Sequence, residues 1–166
     1  MIDPSTLVIN VLKKKLKDSY ITIPGKIRIE KIEGQYLKLD EKRKILFIAG
    51  MGGKEIQKIL SCLQDQLKEN DRVVISPHKN ILELRDYLHT SEFGLWDETL
   101  VKEDGQFYQI LCLEKSSQLP RSSLYGDKIW KGDVGAEYRL HILKTFSFHQ
   151  DMRSKALVHY LESLSY

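Results

Sequence analysis

Ile45-Leu46-Phe47-Ile48, followed by Ala49-Gly50-Met51-Gly52-Gly53, is the stretch on which the fold turns. Four consecutive apolar residues are the pattern of a parallel strand covered on both faces. The three glycines of residues 50–53 end it in a turn that can take positive φ and bring main chain close to a ligand. A helix follows at once, because Ile56, Ile59, Leu60, Leu63 and Leu67 fall on one helical stripe that ends near Asn70. Val73-Val74-Ile75 is then a second short buried strand. It stops at Ser76-Pro77, since proline cannot donate to a central ladder and keeps the residue before it extended.

Downstream, residues 80–89 carry Ile81, Leu84 and Leu88 on one face, a second amphipathic helix after the second strand. Residues 98–103 and 106–113 read as strands joined at Asp104-Gly105, a dipeptide favoured in tight hairpin turns. A connection rich in Ser, Gly and Asp (116–135) leads to two amphipathic stretches, around Leu140-Ile142-Leu143-Phe146 and Met152-Ala156-Leu157-Tyr160-Leu161-Leu164, which predict a helical hairpin. Upstream, residues 5–18 have a helical period. Pro24-Gly25 breaks the chain, 26–32 alternates as a strand, Glu33-Gly34 turns, and 40–44 is polar. Strands alternating with helices require right-handed crossovers and a mostly parallel sheet, with ligands bound beyond the carboxyl ends of the strands. The loops 49–53 and 76–80 are therefore the expected walls of a site.

At 166 residues, with 42% hydrophobic and 30% charged side chains, the chain has the size of one ordinary globular domain. The net charge is only +3, but residues 1–45 hold eleven Lys or Arg against six Asp or Glu. That excess favours an anionic partner, or else solvates a helix face and a strand edge. Cys62, on the apolar side of the first of these helices, and Cys112, in a strand, have no CxxC spacing or histidine cluster around them. They read as reduced core thiols, with no metal site. No apolar run approaches the roughly 20 residues of a membrane span or a signal peptide's pattern, so a soluble, cytoplasmic protein is the expectation.

The glycine turn has a rival reading as a phosphate-binding P-loop. That motif, GxxxxGK[ST], needs glycine where Ile48 stands and Ser or Thr where Glu55 stands, and it fails at both. A plain strand-to-helix turn is the bland alternative. The free N–H groups at the head of the helix add to the ligand-facing reading.

The order of elements, with residues 45–53, 73–77, Leu84-Arg85, Leu100-Val101-Lys102-Glu103-Asp104-Gly105 and Tyr108-Gln109-Ile110, resembles the bacterial tRNA (adenine-N1)-methyltransferases that act on the D-arm region. The likeness covers roughly residues 26–114, and the last two helices loosely. It implies a partial Rossmann-like class I methyltransferase sheet (α/β) ending in an antiparallel hairpin, with a C-terminal helical hairpin. It also implies S-adenosylmethionine as cofactor, tRNA as partner and adenine N1 as methyl acceptor. The domains expected are 1–115 for the α/β part and 116–166 for the linker and helical hairpin. By this resemblance Ala49, Gly50, Met51, Gly52 and Gly53 border the methyl donor and the target adenine, and Glu33 and Gly34 contact the cofactor's adenine. Ser76, Pro77, His78 and Lys54 face the substrate, with His78 where the family usually has asparagine. Tyr36 and Lys38 are weaker candidates for RNA contact, and ordinary surface roles stand beside each.

Methylation of a ring nitrogen asks for positioning and a water-poor pocket rather than paired carboxylates, so their absence from the pattern is no objection. The family also has an opening strand with an acidic, glycine-rich cofactor loop before the segment matching 26–32. The 25 residues that precede it here contain one glycine, Gly25. A fragment of a longer domain and a naturally shortened relative both fit. The alternative function is therefore a non-catalytic RNA-binding or assembly module. Dimerisation or contact with another chain through the C-terminal helices is also left open.

Overall fold

A computed structural model of the chain describes residues 33–40, 44–116, 118–149 and 151–164. The helix predicted over 5–18 and the strand predicted over 26–32 lie outside the described residues.

Strand β1 (Ile45–Met51) leads through the glycine turn into helix α1 (Gly53–Leu63), then β2 (Arg72–Pro77) and α2 (Ile81–Thr90). The hairpin β3 (Phe93–Glu103) and β4 (Gln106–Lys115) follows, then α3 (Gly132–Phe146) and α4 (Met152–Ser163), which pack on each other as the predicted helical hairpin. The sheet order is β1-β2-β4-β3. β1 and β2 run parallel, with Ile48 opposite Ile75, whereas β4 is antiparallel to both β2 and β3. The expectation of a mostly parallel sheet is thus corrected: among the described residues one strand interface is parallel and two are antiparallel. The hairpin turns where predicted, with Asp104 at φ 49° and Gly105 at φ 77°, the left-handed values a two-residue loop needs.

Three further expectations change. β1 is covered on one face only among the described residues: Ile48 is buried, while Ile45 and Phe47 are 57% and 76% exposed. Successive side chains of a strand point to opposite faces, and α1 and α2 both pack on the Ile48 side, so an unbroken apolar run does not by itself show double coverage. Cys62 is exposed rather than a core thiol, because six residues past Ile56 it sits about 120° around the helix from that residue, beyond the edge of the buried stripe. β3 begins at Phe93, five residues before Glu98, where the strand was expected. A register shift between Leu95 and Asp97 reverses the alternation, so that Phe93, Leu95 and Glu98 all point inward and the period of two is hidden.

Two clusters of buried side chains result. Ile48, Ile56, Leu60, Leu63, Val73, Ile75, Leu84, Leu88, Leu111 and Leu113 fill the space between the sheet, α1 and α2. Ile129, Trp130, Tyr138, Ile142, Leu157 and Leu161 form the second, against which Leu82, Leu100 and Phe107 of the α/β part pack. No helix among the described residues is long and apolar enough to cross a membrane.

Candidate functional site

The glycine turn and the loop after β2 stand side by side because β1 and β2 are parallel neighbours, with Ala49 opposite Ser76 and Met51 opposite Pro77. Gly50 is the extra residue of a bulge at this point, with φ +78°. A Cβ built on it meets nothing within 4 Å among the described residues. Two hydrogen bonds clasp the loops together: the His78 N–H donates to the Met51 carbonyl (3.1 Å) and the Gly53 N–H to the Lys79 carbonyl (2.8 Å). The Gly53 N–H at the helix head is therefore committed to the neighbouring loop rather than to a ligand. The approach at Gly53 is close, since a Cβ there would lie 2.3 Å from the Asn80 carbonyl oxygen. Asn80 is itself left-handed (φ 57°) and its carbonyl accepts from Leu84 N–H at the start of α2. Glycine at 53 and a left-handed residue at 80 are thus two halves of one joint.

Around this joint Pro77 is buried, Met51 and Ser76 are half-buried, and Lys54, His78 and Lys79 are exposed. The Lys79 stem and the Glu55 carboxylate both reach over Gly52. The imidazole of His78 meets the ring of Tyr108 edge to face, with centroids 6.0 Å apart and planes at 77°. Tyr108 stands on β4 beyond the end of its pairing with β2 and is paired with Val101 of β3. In the sequence Tyr108 carries part of the family resemblance and lies outside the expected site residues.

The Glu33-Gly34 turn sits elsewhere along α1. Gly34 packs on Ile59, six residues past Gly53, or about 9 Å along the helix axis. Glu33 is exposed and its carboxylate accepts from the side-chain amide of Gln35. The following segment is held by Gln66, which accepts from Leu39 N–H and donates to the Leu37 carbonyl. The two halves of the expected cofactor set therefore line α1 at two points, and Tyr36 (65% exposed) and Lys38 lie on the outside of the same segment.

Behind the site lies a buried polar network absent from the predicted set. The Arg85 guanidinium donates to Glu98 at 2.7 Å, to Gln109 Oε1 at 2.8 and 3.2 Å, and to Ser122 Oγ at 3.1 Å. Gln109 in turn donates to the Tyr138 hydroxyl at 3.0 Å, and the second Glu98 oxygen accepts from the N–H groups of Asp127 and Lys128. Burial pushes the Glu98 carboxyl upward, but Arg85 and the two backbone donors outweigh it and hold it below the ordinary carboxylate value. Burial likewise pushes the Tyr138 phenol up, against smaller opposing effects from Gln109 and Arg85. A cavity of about 30 Å³ adjoins Arg85, Gln109, Trp130 and Tyr138, room for a single water. Because Gln109 is the neighbour of Tyr108, the network fixes the part of β4 that carries this half-buried ring. The signal for it was present in sequence: Arg85 stands four residues after Ile81 and three before Leu88, on the apolar stripe of its helix.

Among the described residues no group of three or more His, Cys, Asp or Glu is placed to hold a metal ion. The arrangement offers bare backbone at Gly50, an exposed imidazole beside a half-buried phenol ring, and flanking lysines at the carboxyl end of a parallel pair. It suits holding and orienting a flat or polar ligand.

A sequence model described as tRNA (adenine(22)-N(1))-methyltransferase matches residues 10–161. The Bacillus subtilis protein of that name is 36% identical over 67 residues, which are 40% of this chain and 28% of that one. The matched stretch is thus less than a third of that relative's length. Among solved structures, Streptococcus pneumoniae Sp1610 in complex with S-adenosyl-L-methionine superposes with a TM-score of 0.72 at 21% identity, covering 97% of this chain and 77% of that one. The Bacillus subtilis tRNA methyltransferase TrmK gives 0.59 at 21% identity, over 97% and 76% of the two chains. Both show a common fold.

Proposed function

The chain belongs to the tRNA (adenine(22)-N(1))-methyltransferase family, and from that premise we propose that it acts in S-adenosylmethionine-dependent methyl transfer to adenine N1 of tRNA. The observation that carries this reading is the clasped glycine turn, where main chain is exposed at Ala49 and Gly50, no described residue comes within 4 Å of a Cβ built on Gly50, and Gly53 is locked against Asn80. Gly50 fits one wall of a cofactor site, because no Cβ there stands between a ligand and the backbone. When bound, S-adenosylmethionine supplies a methyl group on a sulfonium, an electrophile that needs no activation by the protein.

The residues of this chain then have two tasks. Residues 49–53, with Glu33 and Gly34 further along α1, hold the donor. Ser76, Pro77, His78 and Lys54 orient the acceptor so that the lone pair of adenine N1 lines up with the methyl group, and they exclude water. Lys54 and Lys79, both exposed beside the turn, suit the phosphates of an RNA backbone. A cytoplasmic setting accompanies a tRNA substrate. Exposed apolar residues of the helical hairpin, Leu140, Phe148 and Met152, support contact with RNA or a second chain there.

Calorimetric titration of S-adenosylmethionine into the 166-residue chain tests the reading, followed by transfer of labelled methyl to unmodified tRNA. Saturable binding, abolished by Gly53→Ala, is expected. A chain that takes up no S-adenosylmethionine would remove the enzymatic claim for this polypeptide.

A further inference from the structure

We infer that Tyr108 and His78 form an aromatic corner that receives the base to be methylated, with Tyr108 as a base-positioning residue; the inference rests on the methyl-transfer reading above and names the substrate side of that site. The two ring planes meet at 77° with centroids 6.0 Å apart. A flat heterocycle laid on one ring turns its edge toward the other, so the pair fixes both the plane and the in-plane direction of a base. Purines stack on aromatic rings whatever their hydrogen-bonding edge, and a base unstacked from RNA is commonly held in this way.

The backbone on both sides of the corner is anchored. The His78 N–H is clasped to the Met51 carbonyl inside the glycine turn, so the imidazole is one backbone hydrogen bond from the donor wall. Tyr108 belongs to β4, and its strand neighbour Gln109 is buried and tied to both Arg85 and Tyr138. His78 is exposed and Tyr108 only half-buried, and Val101, the β3 partner of Tyr108, is 42% exposed. Two rings and an aliphatic side chain are thus open to solvent beside a ligand-facing turn. Stacking on them would remove that apolar surface from water. The hydrogen-bonded network under β4 and the clasp under His78 supply the preorganisation that positions a reacting atom.

The test uses a short RNA hairpin with 2-aminopurine at the target adenine and, for comparison, one with 2-aminopurine paired in the stem. The full chain is expected to quench the first strongly and the second weakly. Tyr108→Ala is expected to weaken the quenching titration by about 5- to 150-fold, the usual weight of one base–aromatic stack. Tyr108→Phe should recover most of that loss, because the ring and not the hydroxyl carries the contact. His78→Ala provides a second loss variant in a loop, should Tyr108→Ala fail to fold by circular dichroism. S-adenosylmethionine affinity is measured on the same samples. Unchanged donor affinity together with lost quenching supports the proposal. Variants that quench like the parent overturn it, as does a parent chain that quenches neither hairpin. A parent chain that quenches the target hairpin but binds no donor would overturn the enzymatic reading and leave the aromatic corner standing.

Discussion

Replacing Arg85 by methionine tests how the α/β part and the helical hairpin are joined. The substitution removes the guanidinium and leaves the Glu98 carboxylate buried, at 5% exposure, with only the Asp127 and Lys128 N–H groups as donors. Gln109 Oε1 and Ser122 Oγ lose their donor as well. Breaking a buried ion pair by removing one partner costs about 3–5 kcal/mol. For a chain of this size each kcal/mol lowers Tm by about 2–4 °C, so Tm should fall by about 6–20 °C.

The pH dependence fixes the cause. In the parent chain Glu98 is held below its ordinary value of 4.5, so its stabilising contribution is complete above that pH and fades as pH drops through the lower folded value. Without Arg85, both its charge and its hydrogen bond to the carboxylate are lost while burial still pushes upward, so the folded carboxyl rises from its parent value. The variant then escapes part of its penalty by taking up a proton, and its deficit relative to the parent narrows as the solution is acidified. Urea unfolding followed by circular dichroism at pH 7 and at pH 5 measures both effects. In the pair Arg85→Met with Glu98→Leu, the loss should be far less than the sum of the two single losses. A deficit under about 1 kcal/mol at pH 7, or one that widens on acidification, would refute this account of the network.

Gly53→Ala drives a Cβ to 2.3 Å from the Asn80 carbonyl, and overpacking of this kind costs about 1–3 kcal/mol, read in the same urea assay. Gly50→Ala meets none of the described residues within 4 Å but must hold φ near +78°, so about 1–2 kcal/mol is expected from backbone strain. Above pH 10.0, the ordinary value for tyrosine, stability should decline, because the unfolded phenol ionises while burial keeps folded Tyr138 protonated; Tyr138→Phe should flatten that limb of the stability profile. Exposed Cys62 should react with a chromogenic disulfide reagent far faster than Cys112, whose thiol burial pushes up, and equal rates would contradict the structure.

The strand-turn-helix unit at 45–63 was legible because a continuous apolar run, a glycine cluster and a helical stripe are each strong local signals. The same holds for the Asp104-Gly105 hairpin. What local pattern could not reveal was the neighbour of each face. Ile45 and Phe47 look like core until the sheet shows which side carries the helices. The strand at 93–97 was hidden by a bulge that breaks its period. Arg85 and Glu98 are charged, and charge is ordinarily read as surface. Only the three-residue spacing of Arg85 from Leu88 on the helix and the alternation that Glu98 shares with Leu100 on the strand mark them as inward. Of the expected site, residues 49–53 and 76–80 were brought together because parallel strands align their carboxyl ends. Glu33 and Gly34 were drawn to the same site by resemblance alone, and the structure sets them further along α1.

The joint between Gly53 and Asn80 has a consequence for how such a chain can diversify. Loops ordinarily adapt to new ligands by gaining or losing residues. Here the two loops share their backbone hydrogen bonds and touch at a carbonyl that no side chain can approach. A change of length in either loop would unseat the other. Altered substrate preference must then come from exchanging the outward side chains at 54, 78 and 79 on a frame of constant length. Transplanting the site into another scaffold would require moving both loops as one piece.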